Sequence, residues 1–320
     1  MTQGLPKITV ATVTYNRATM LPKAIESVLG QTFSDFEYII IDNGSTDDTP
    51  DVAGRYRRQD SRIKLYSFPG NNIDASSMYE RWRIFAQSKT AEYISHVDDD
   101  DFIEPKMLET LYGLITEYGA DMASAGSKFI YPDGTTKDKY VFDGTYIYSR
   151  LEAMTELLKR EKFNAAKGGK LFRKSVYQNQ VLPEVKVVRD IYYSYRIMER
   201  INRMAVTGEP LYFFYRHDSN LSGLDTAEQI TPNRMRQHLE ANSIRTDWLA
   251  ERMPEIKDFA FYCELSFMIS LYERIHRLGA ASCLGIAEEM KAALRRHGEF
   301  LSRSPHRTER AAGILNEMGI

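Results

Sequence analysis

Two hydrophobic periods alternate along the first 120 residues. Ile8-Thr9-Val10-Ala11-Thr12-Val13 is rich in β-branched residues and bounded by Pro6 and Asn16-Arg17, which predicts a strand. Between Met20 and Gly30 the apolar residues fall at Leu21, Ala24, Ile25, Val28 and Leu29, the helical spacing, with Gly30 placed to end the helix. Phe36-Glu37-Tyr38-Ile39-Ile40-Ile41 reads as a buried strand, residues 42–48 as a turn, and a helix follows Pro50. Residues 63–67 predict a third strand, 82–88 a helix, 92–97 a fourth strand and 107–118 a further helix. This alternation predicts an α/β protein with a mostly parallel sheet and helices on both faces. Ligands of such sheets bind outside the carboxyl ends of the strands. Three polar turns fall there, residues 14–17, 42–48 and 98–101, and are expected to converge on one crevice.

Beyond residue 120 the pattern changes. Residues 122–127 and 128–131 read as strands, Tyr131-Pro132-Asp133-Gly134 as a turn, 139–148 as a Tyr-rich strand and 150–160 as an amphipathic helix. Residues 166–172 form a loop leading into an apolar segment. A helix with Asp190 near its start lies within 187–201, and 211–216 is a strongly apolar strand. From about residue 226 the chain reads as helices, separated near Pro254, Gly279, Gly298 and Pro305. The expected division is 1–120, 121–222 and a helical region 223–320.

The chain has 320 residues, a net charge of −2 and 43% hydrophobic residues, which suits a soluble globular protein of one large or two intimate domains. Near-neutral charge gives no general attraction to nucleic acid, and none is expected as a partner. Cys263 and Cys283 alone make neither a disulfide framework nor a zinc site, so a reducing cytoplasm fits. The first residues lack the apolar core of a signal peptide, and no run of roughly 18 apolar residues predicts a membrane span. A peripheral contact on the inner face of a membrane stays open. So does self-association.

The chemistry concentrates in His96-Val97-Asp98-Asp99-Asp100-Asp101-Phe102-Ile103-Glu104-Pro105. Four successive carboxylates after a short strand repel one another and become favourable around a divalent cation. Mg²⁺ and Mn²⁺ take oxygen ligands, and Mg²⁺ usually binds one or two carboxylates plus substrate phosphates. The same residues also read as a solvated acidic turn at the positive end of a following helix.

Seven segments in order resemble the family 2 glycosyltransferases, which have the GT-A fold, a Rossmann-like sheet. They are residues 9–17 with their Tyr-Asn turn, 24–32, 36–47 with Asp42-Asn43-Gly44-Ser45, 91–94 followed by 98–101 and Pro105, Gly169-Lys170-Leu171-Phe172-Arg173-Lys174, Arg189-Asp190 with Arg196, and 215–222. Together they span about residues 7–222; residues 223–320 match no segment of the pattern. The resemblance implies a metal-dependent, inverting transfer of a sugar from a nucleotide-diphosphate sugar, UDP favoured, to a hydroxyl of a glycan or lipid-linked glycan in surface polysaccharide biosynthesis. It also implies a donor-binding half, 1–120, and an acceptor-binding half, 121–222.

By that pattern Asp100 is the direct ligand of Mn²⁺ or Mg²⁺, and Asp98 contacts the ribose or a metal-bound water. Asp99 and Asp101 play supporting roles. Val13, Tyr15, Arg17, Asp42 and Asn43 hold the nucleotide, with Tyr15 stacking on a pyrimidine. The second turn departs from the usual pair of acids: Asn43 stands where an acid accepts from the uracil ring, and its amide oxygen can still accept. It reads equally as a turn residue. Arg81, or Arg83, is the candidate for the phosphates on spacing alone; Asn71, Asn72, Ser76 and Ser77 offer further polar groups. Asp190 is the expected base, with helix capping as its other reading. His217 is expected to reach the metal or the diphosphate, or to be a turn histidine; Lys170 steadies the acceptor loop or is a surface lysine. The basic tail either docks on anionic lipid or packs as a helical subdomain. Two other functions remain in view. A nucleotidyltransferase would need a Gly-rich phosphate loop that Thr14-Tyr15-Asn16-Arg17 lacks, and a non-catalytic sugar-nucleotide binder would not need Asp98, Asp100 and Asp190 together.

Overall fold

The computed structural model describes residues 5–70, 91–177, 189–217, 224 and 226–320. The expected helix 82–88, the polar residues Asn71, Asn72, Ser76 and Ser77, the phosphate candidates Arg81 and Arg83, and most of the 215–222 motif lie outside them.

The chain forms two compact units, Met1–Lys186 with Tyr193–Asp218, and Val187–Tyr192 with Ser219–Ile320. The first is α/β. Its early elements are β1 (Ile8–Thr14), α1 (Leu21–Leu29), β2 (Phe36–Asp42), α2 (Thr49–Gln59), β3 (Ile63–Ser67), β4 (Tyr93–His96), β5 (Phe102–Ile103) and α3 (Met107–Tyr118). These are followed by β6 (Met122–Ile130), β7 (Thr136–Asp138), β8 (Thr145–Ser149), α4 (Arg150–Lys159), β9 (Lys170–Arg173), α5 (Arg189–Met198) and β10 (Arg203–Tyr215). Among the described residues one ten-stranded sheet runs β3-β2-β1-β4-β9-β6-β10-β5, with β7 beside β6 and β8 beside β10.

The sheet is parallel from β3 to β4 and mixed beyond, where β9 runs antiparallel to both β4 and β6. Helical crossovers return a strand parallel, whereas the tight turn at Asp133-Gly134 folds β7 back on β6. Thus residues 1–120 and most of 121–222 share one sheet and one unit, while Val187–Tyr192 and the residues from Ser219 on fall in the second.

Helix α1 buries Leu21, Ala24, Ile25 and Val28, and α3 buries Met107, Leu108, Leu111, Leu114 and Ile115. These residues join Ile8, Val10, Tyr38, Ile40, Ala123 and Leu171 in one core on one face of the sheet. On the opposite face Met122 and Phe172 meet Tyr193, Ile197 and Met198 of α5 around a small pocket. Ser149 and Glu152 form a reciprocal capping box that starts α4.

Three departures from the sequence reading each have a physical cause. β10 runs through Gly208-Glu209-Pro210, because register shifts around Pro210 form bulges where a residue without an N–H is tolerated. The Tyr-rich segment is a strand only over β8, since Gly144 at φ 84° turns the chain just before it. The two-residue β5 exists only as a partner of Tyr212 and Phe213 in β10.

The second unit carries α6 (Pro232–Arg252), α7 (Lys257–Arg277), α8 (Leu284–Arg296), α9 (Gly298–Arg303) and α10 (Glu309–Glu317). Helix α7 serves two apolar clusters: Leu271 and Ile275 pack with Met235, Ile286 and Met290, and Leu265 and Ile269 with Leu294, Leu301 and Leu315. Cys283 is buried in the first cluster and Cys263 is half-buried at the second. Several basic residues of this region are paired with acids: Arg236 with Glu289, Arg303 with Glu299 and Arg310 with Glu273. Among the described residues no helix is long and apolar enough to cross a membrane.

One glycine holds the β2–α2 turn in place. Gly44 has φ +75°, and a Cβ there would stand 2.5 Å from the Gly70 backbone. Gly44→Ala is therefore expected to lower the unfolding free energy by about 1–3 kcal/mol, read from denaturant midpoints. An unchanged midpoint would show that the turn relaxes freely.

Candidate active site

The carboxyl ends of β1, β2 and β4 lie side by side because these strands are parallel neighbours. Hydrogen bonds knit the first two turns together. The Asn43 N–H donates to Thr14 O at 2.9 Å. Asn16 occupies the left-handed region at φ 51°, which Asn tolerates better than most residues. Its Oδ1 accepts from Thr46 N–H at 2.8 Å, and its own N–H donates to Ser45 Oγ at 2.9 Å. Arg17 N–H donates to Thr49 Oγ1 at 2.8 Å. Asp42 is buried, and its Oδ1 accepts from both the Ser45 N–H (3.2 Å) and hydroxyl (2.5 Å). This network leaves Tyr15 half-buried at the crevice and Val13 38% exposed in an otherwise buried strand. Asn43 is only 9% exposed, and its Oδ1 accepts no hydrogen bond among the described residues.

The third turn is the acidic loop, and its four carboxylates have different surroundings. Asp98 is exposed. Asp99 lies 3.8 Å from the Arg17 guanidinium. Burial, assisted by the nearby Asp100 charge, raises the Asp99 carboxyl to about 6, against the opposing influence of Thr14, Arg17 and the Tyr15 backbone. Asp100 Oδ2 lies 3.0 Å from His217 Nε2. Asp101 is buried. Its Oδ2 accepts from the Tyr212 hydroxyl at 2.7 Å and its Oδ1 from Tyr215 N–H at 2.9 Å. Burial first, then the charges of Asp98 and Asp100, push the Asp101 carboxyl well above the ordinary carboxylate range. The same burial holds His96, at the end of β4, neutral by lowering it to about 3, with Lys167 adding to the effect.

The structure thus brings together Val13, Tyr15, Arg17, Asp42, Asn43, Asp98, Asp100 and His217 on the three turns and the end of β10. Among the described residues no three or more His, Cys, Asp and Glu side chains form a set that would hold a metal by themselves. Asp190 stands exposed in the first turn of α5, a stretch assigned to the second unit. Lys170 is not a surface lysine. It is 3% exposed, and its ammonium donates to Ala166 O at 2.6 Å, tying the loop before β9. Tyr212 and Tyr215 are the site residues that sequence reasoning missed. Two tyrosines in the apolar run Leu211-Tyr212-Phe213-Phe214-Tyr215 were the available signal, since a buried hydroxyl needs a partner.

With the geometry in view, residues 9–180 match the model described as Glycosyl transferase family 2. The glycosyltransferase GlyA of Streptococcus pneumoniae serotype 4 is 25% identical over 225 residues, 68% of this chain and 31% of that protein. The GalNAc(5)-diNAcBac-PP-undecaprenol beta-1,3-glucosyltransferase of Campylobacter jejuni is 29% identical over 188 residues, 59% of this chain and 57% of that protein. The chain spans 31%, 56% and 62% of the length of three of its curated relatives. Among solved structures, S. aureus TarS 1–349 in complex with UDP-GlcNAc superposes with a TM-score of 0.65 at 17% identity, covering 97% of this chain and 84% of that one. The mannosyltransferase PcManGT from Pyrobaculum calidifontis, in complex with GDP-Man and Mn²⁺, gives 0.57 at 14% identity, covering 99% and 87%. Both likenesses are of fold.

The raised Asp99 carboxyl has a sign that can be tested. Its folded value of about 6 lies above the ordinary 3.8, so the folded state favours the protonated form. That stabilisation is complete below about pH 4 and lost as pH rises through about 6. In the metal-free protein, Asp99→Asn should therefore gain stability relative to wild type by about 3 kcal/mol between acid and neutral pH, at roughly 1.4 kcal/mol per unit. Denaturant unfolding at about pH 4 and pH 8 measures the difference. A variant running parallel to wild type would remove the buried-carboxylate account.

Proposed function

The chain belongs to glycosyl transferase family 2, and from that premise we propose that it moves a sugar from a UDP-sugar to a hydroxyl of a glycan or lipid-linked glycan, with inversion and with Mn²⁺ or Mg²⁺. The observation that carries the reading is the meeting of three turns at the ends of parallel strands, with Asp100 against His217, Arg17 against Asp99, and Asn43 Oδ1 buried. Residues 1–120 would serve the donor and 121–222 the acceptor.

Each part has a chemical task. A buried acceptor without a donor is costly, by about 1–3 kcal/mol. Asn43 Oδ1 therefore suits the ring N–H of a uracil, with Tyr15 supplying a stacking face. The amide in place of an acid keeps the acceptor and drops the charge. The donor set also fits a hard divalent cation. Asp100 and His217 offer adjacent oxygen and nitrogen ligands, Asp98 is accessible, and the remaining positions suit diphosphate oxygens and water. Bound there, the cation would neutralise charge gathering on the departing diphosphate. Arg17, on the turn facing Asp99, adds a fixed positive group beside the same loop. Asp190 is the proposed base: it takes the acceptor hydroxyl's proton while that oxygen attacks the anomeric carbon opposite the leaving group. A single displacement of this kind inverts the configuration. The names of two similar proteins support the substrate classes: TarS was solved with UDP-GlcNAc, and the Campylobacter enzyme is named for an undecaprenol-diphosphate glycan. We place the activity in the cytoplasm, at the inner face of a membrane when the acceptor is lipid-linked.

Thermal-shift measurements against UDP, GDP, CDP and dTDP test the donor. UDP with Mn²⁺ should raise the melting temperature most, since binding to the native state stabilises it, and the Mn²⁺ dependence should vanish in Asp100→Ala. A shift with GDP alone would refute the uridine assignment. For the base, Asp190→Asn should lower kcat by about 10²–10⁴-fold with donor KM unchanged, measured by nucleotide release. Full turnover in that variant would mean another group takes the proton.

A further inference from the structure

Tyr212 is fully buried in β10, with β6 on one side (Ser127 opposite) and β5 on the other (Ile103 opposite). Its backbone is thus fixed on both edges. Its hydroxyl accepts from the Asp98 N–H at 3.2 Å and donates to Asp101 Oδ2 at 2.7 Å. One oxygen therefore ties the first and last residues of the acidic loop, which closes on itself through Asp101 N–H to Asp98 O at 3.2 Å. The ring is confined as well. A Cβ at Gly168 would stand 2.4 Å from Tyr212 Cζ and 2.6 Å from its hydroxyl oxygen, so the glycine reserves the space the ring fills. Gly168 in turn bridges to His96 at the end of β4, two residues before Asp98.

We propose that Tyr212 is a positioning residue for the acidic loop, whose hydroxyl holds the Asp98 backbone and the Asp101 carboxylate so that the Asp98 and Asp100 side chains face the crevice at a fixed spacing. The assignment rests on reading residues 98–101 as the metal-binding loop. The hydroxyl bonds neither the Asp98 nor the Asp100 carboxylate in this arrangement; it acts through the loop's two ends. A site that grips a cation needs its ligands held to about 0.5 Å. Four adjacent carboxylates have no means of holding themselves to that tolerance.

Tyr212→Phe removes the oxygen and keeps the ring. In the full-length protein, Mn²⁺ affinity in the presence of UDP, followed by the electron paramagnetic resonance of free Mn²⁺, should fall by about tenfold or more. UDP affinity without metal should fall far less, because the proposed nucleotide contacts stand mainly on the turns after β1 and β2, with Asp98 alone on this loop. Hydrogen exchange at the amides of residues 97–103 should speed up. A residue that served only as core filling would weaken the two affinities together and leave exchange at this loop no faster than elsewhere. Unchanged loop exchange, or unchanged Mn²⁺ affinity beside a damaged Asp100→Ala control, overturns the proposal. Faster exchange with no Mn²⁺ binding even in the wild type overturns the metal reading instead and leaves the positioning role standing. Should Tyr212→Phe fail to fold, Gly168→Ala displaces the intact hydroxyl, and the same measurements apply with the same expected results.

Discussion

Four carboxylates in succession repel one another, and the strand ends around residues 98–101 are arranged to relieve that repulsion. Each is treated differently. Asp98 is exposed. Asp99 is covered by the first turn and faced by Arg17. Asp100 meets His217, which arrives from the far end of β10. Asp101 is sunk beneath Tyr212 and Tyr215, and its burial pushes the carboxyl well above the ordinary carboxylate range. Burial and Arg17 thus answer the charge of Asp99, and burial with two hydrogen bonds answers that of Asp101, beside the exposed Asp98 and the His217-paired Asp100. In the proposed site, Asp98 and Asp100 would be the pair left to bind a cation, and three separate stretches of chain would make that possible.

The first two turns depend on a different constraint, the close approach of backbone to backbone. Thr14, Asn43 and Gly44 come within hydrogen-bond or van der Waals reach of neighbouring main chain, and Phe68 N–H donates to Asp42 O at 2.9 Å just beyond. The turns are therefore tied to one another, with Tyr15 and Arg17 half-buried and Asn43 buried. In the proposed site this would matter, because an amide oxygen that accepts no hydrogen bond among the described residues would serve a ligand only if it could not turn away to another partner.

The irregular strand β10 links fold to site. A regular strand of that length would carry an unbroken ladder, which Pro210 forbids. The bulges around it let one strand take β8 as partner in its first part and β5 in its last, with β6 alongside throughout. By its end β10 has delivered Tyr212, Tyr215 and His217 to the acidic loop.

The amino-acid sequence by itself determined the α/β alternation, the parallel first half of the sheet, the three polar turns at its carboxyl ends and the helical character of the last hundred residues. All of these follow from local periodicity and from turn residues adjacent in the chain. It also pointed to Asp98, Asp100, Asn43 and His217 through the family pattern. What only the tertiary structure decided are the relations between residues far apart: the mixed pairing from β9 onward, the existence of β5, the burial of Lys170, and the meeting of Asp101 with Tyr212 across 111 positions. No periodicity records such a meeting. A tyrosine in an apolar strand looks the same in sequence whether its hydroxyl finds water, a backbone carbonyl or a catalytic loop, and its partner is fixed only once the sheet order and the bulges have set which strand ends lie together.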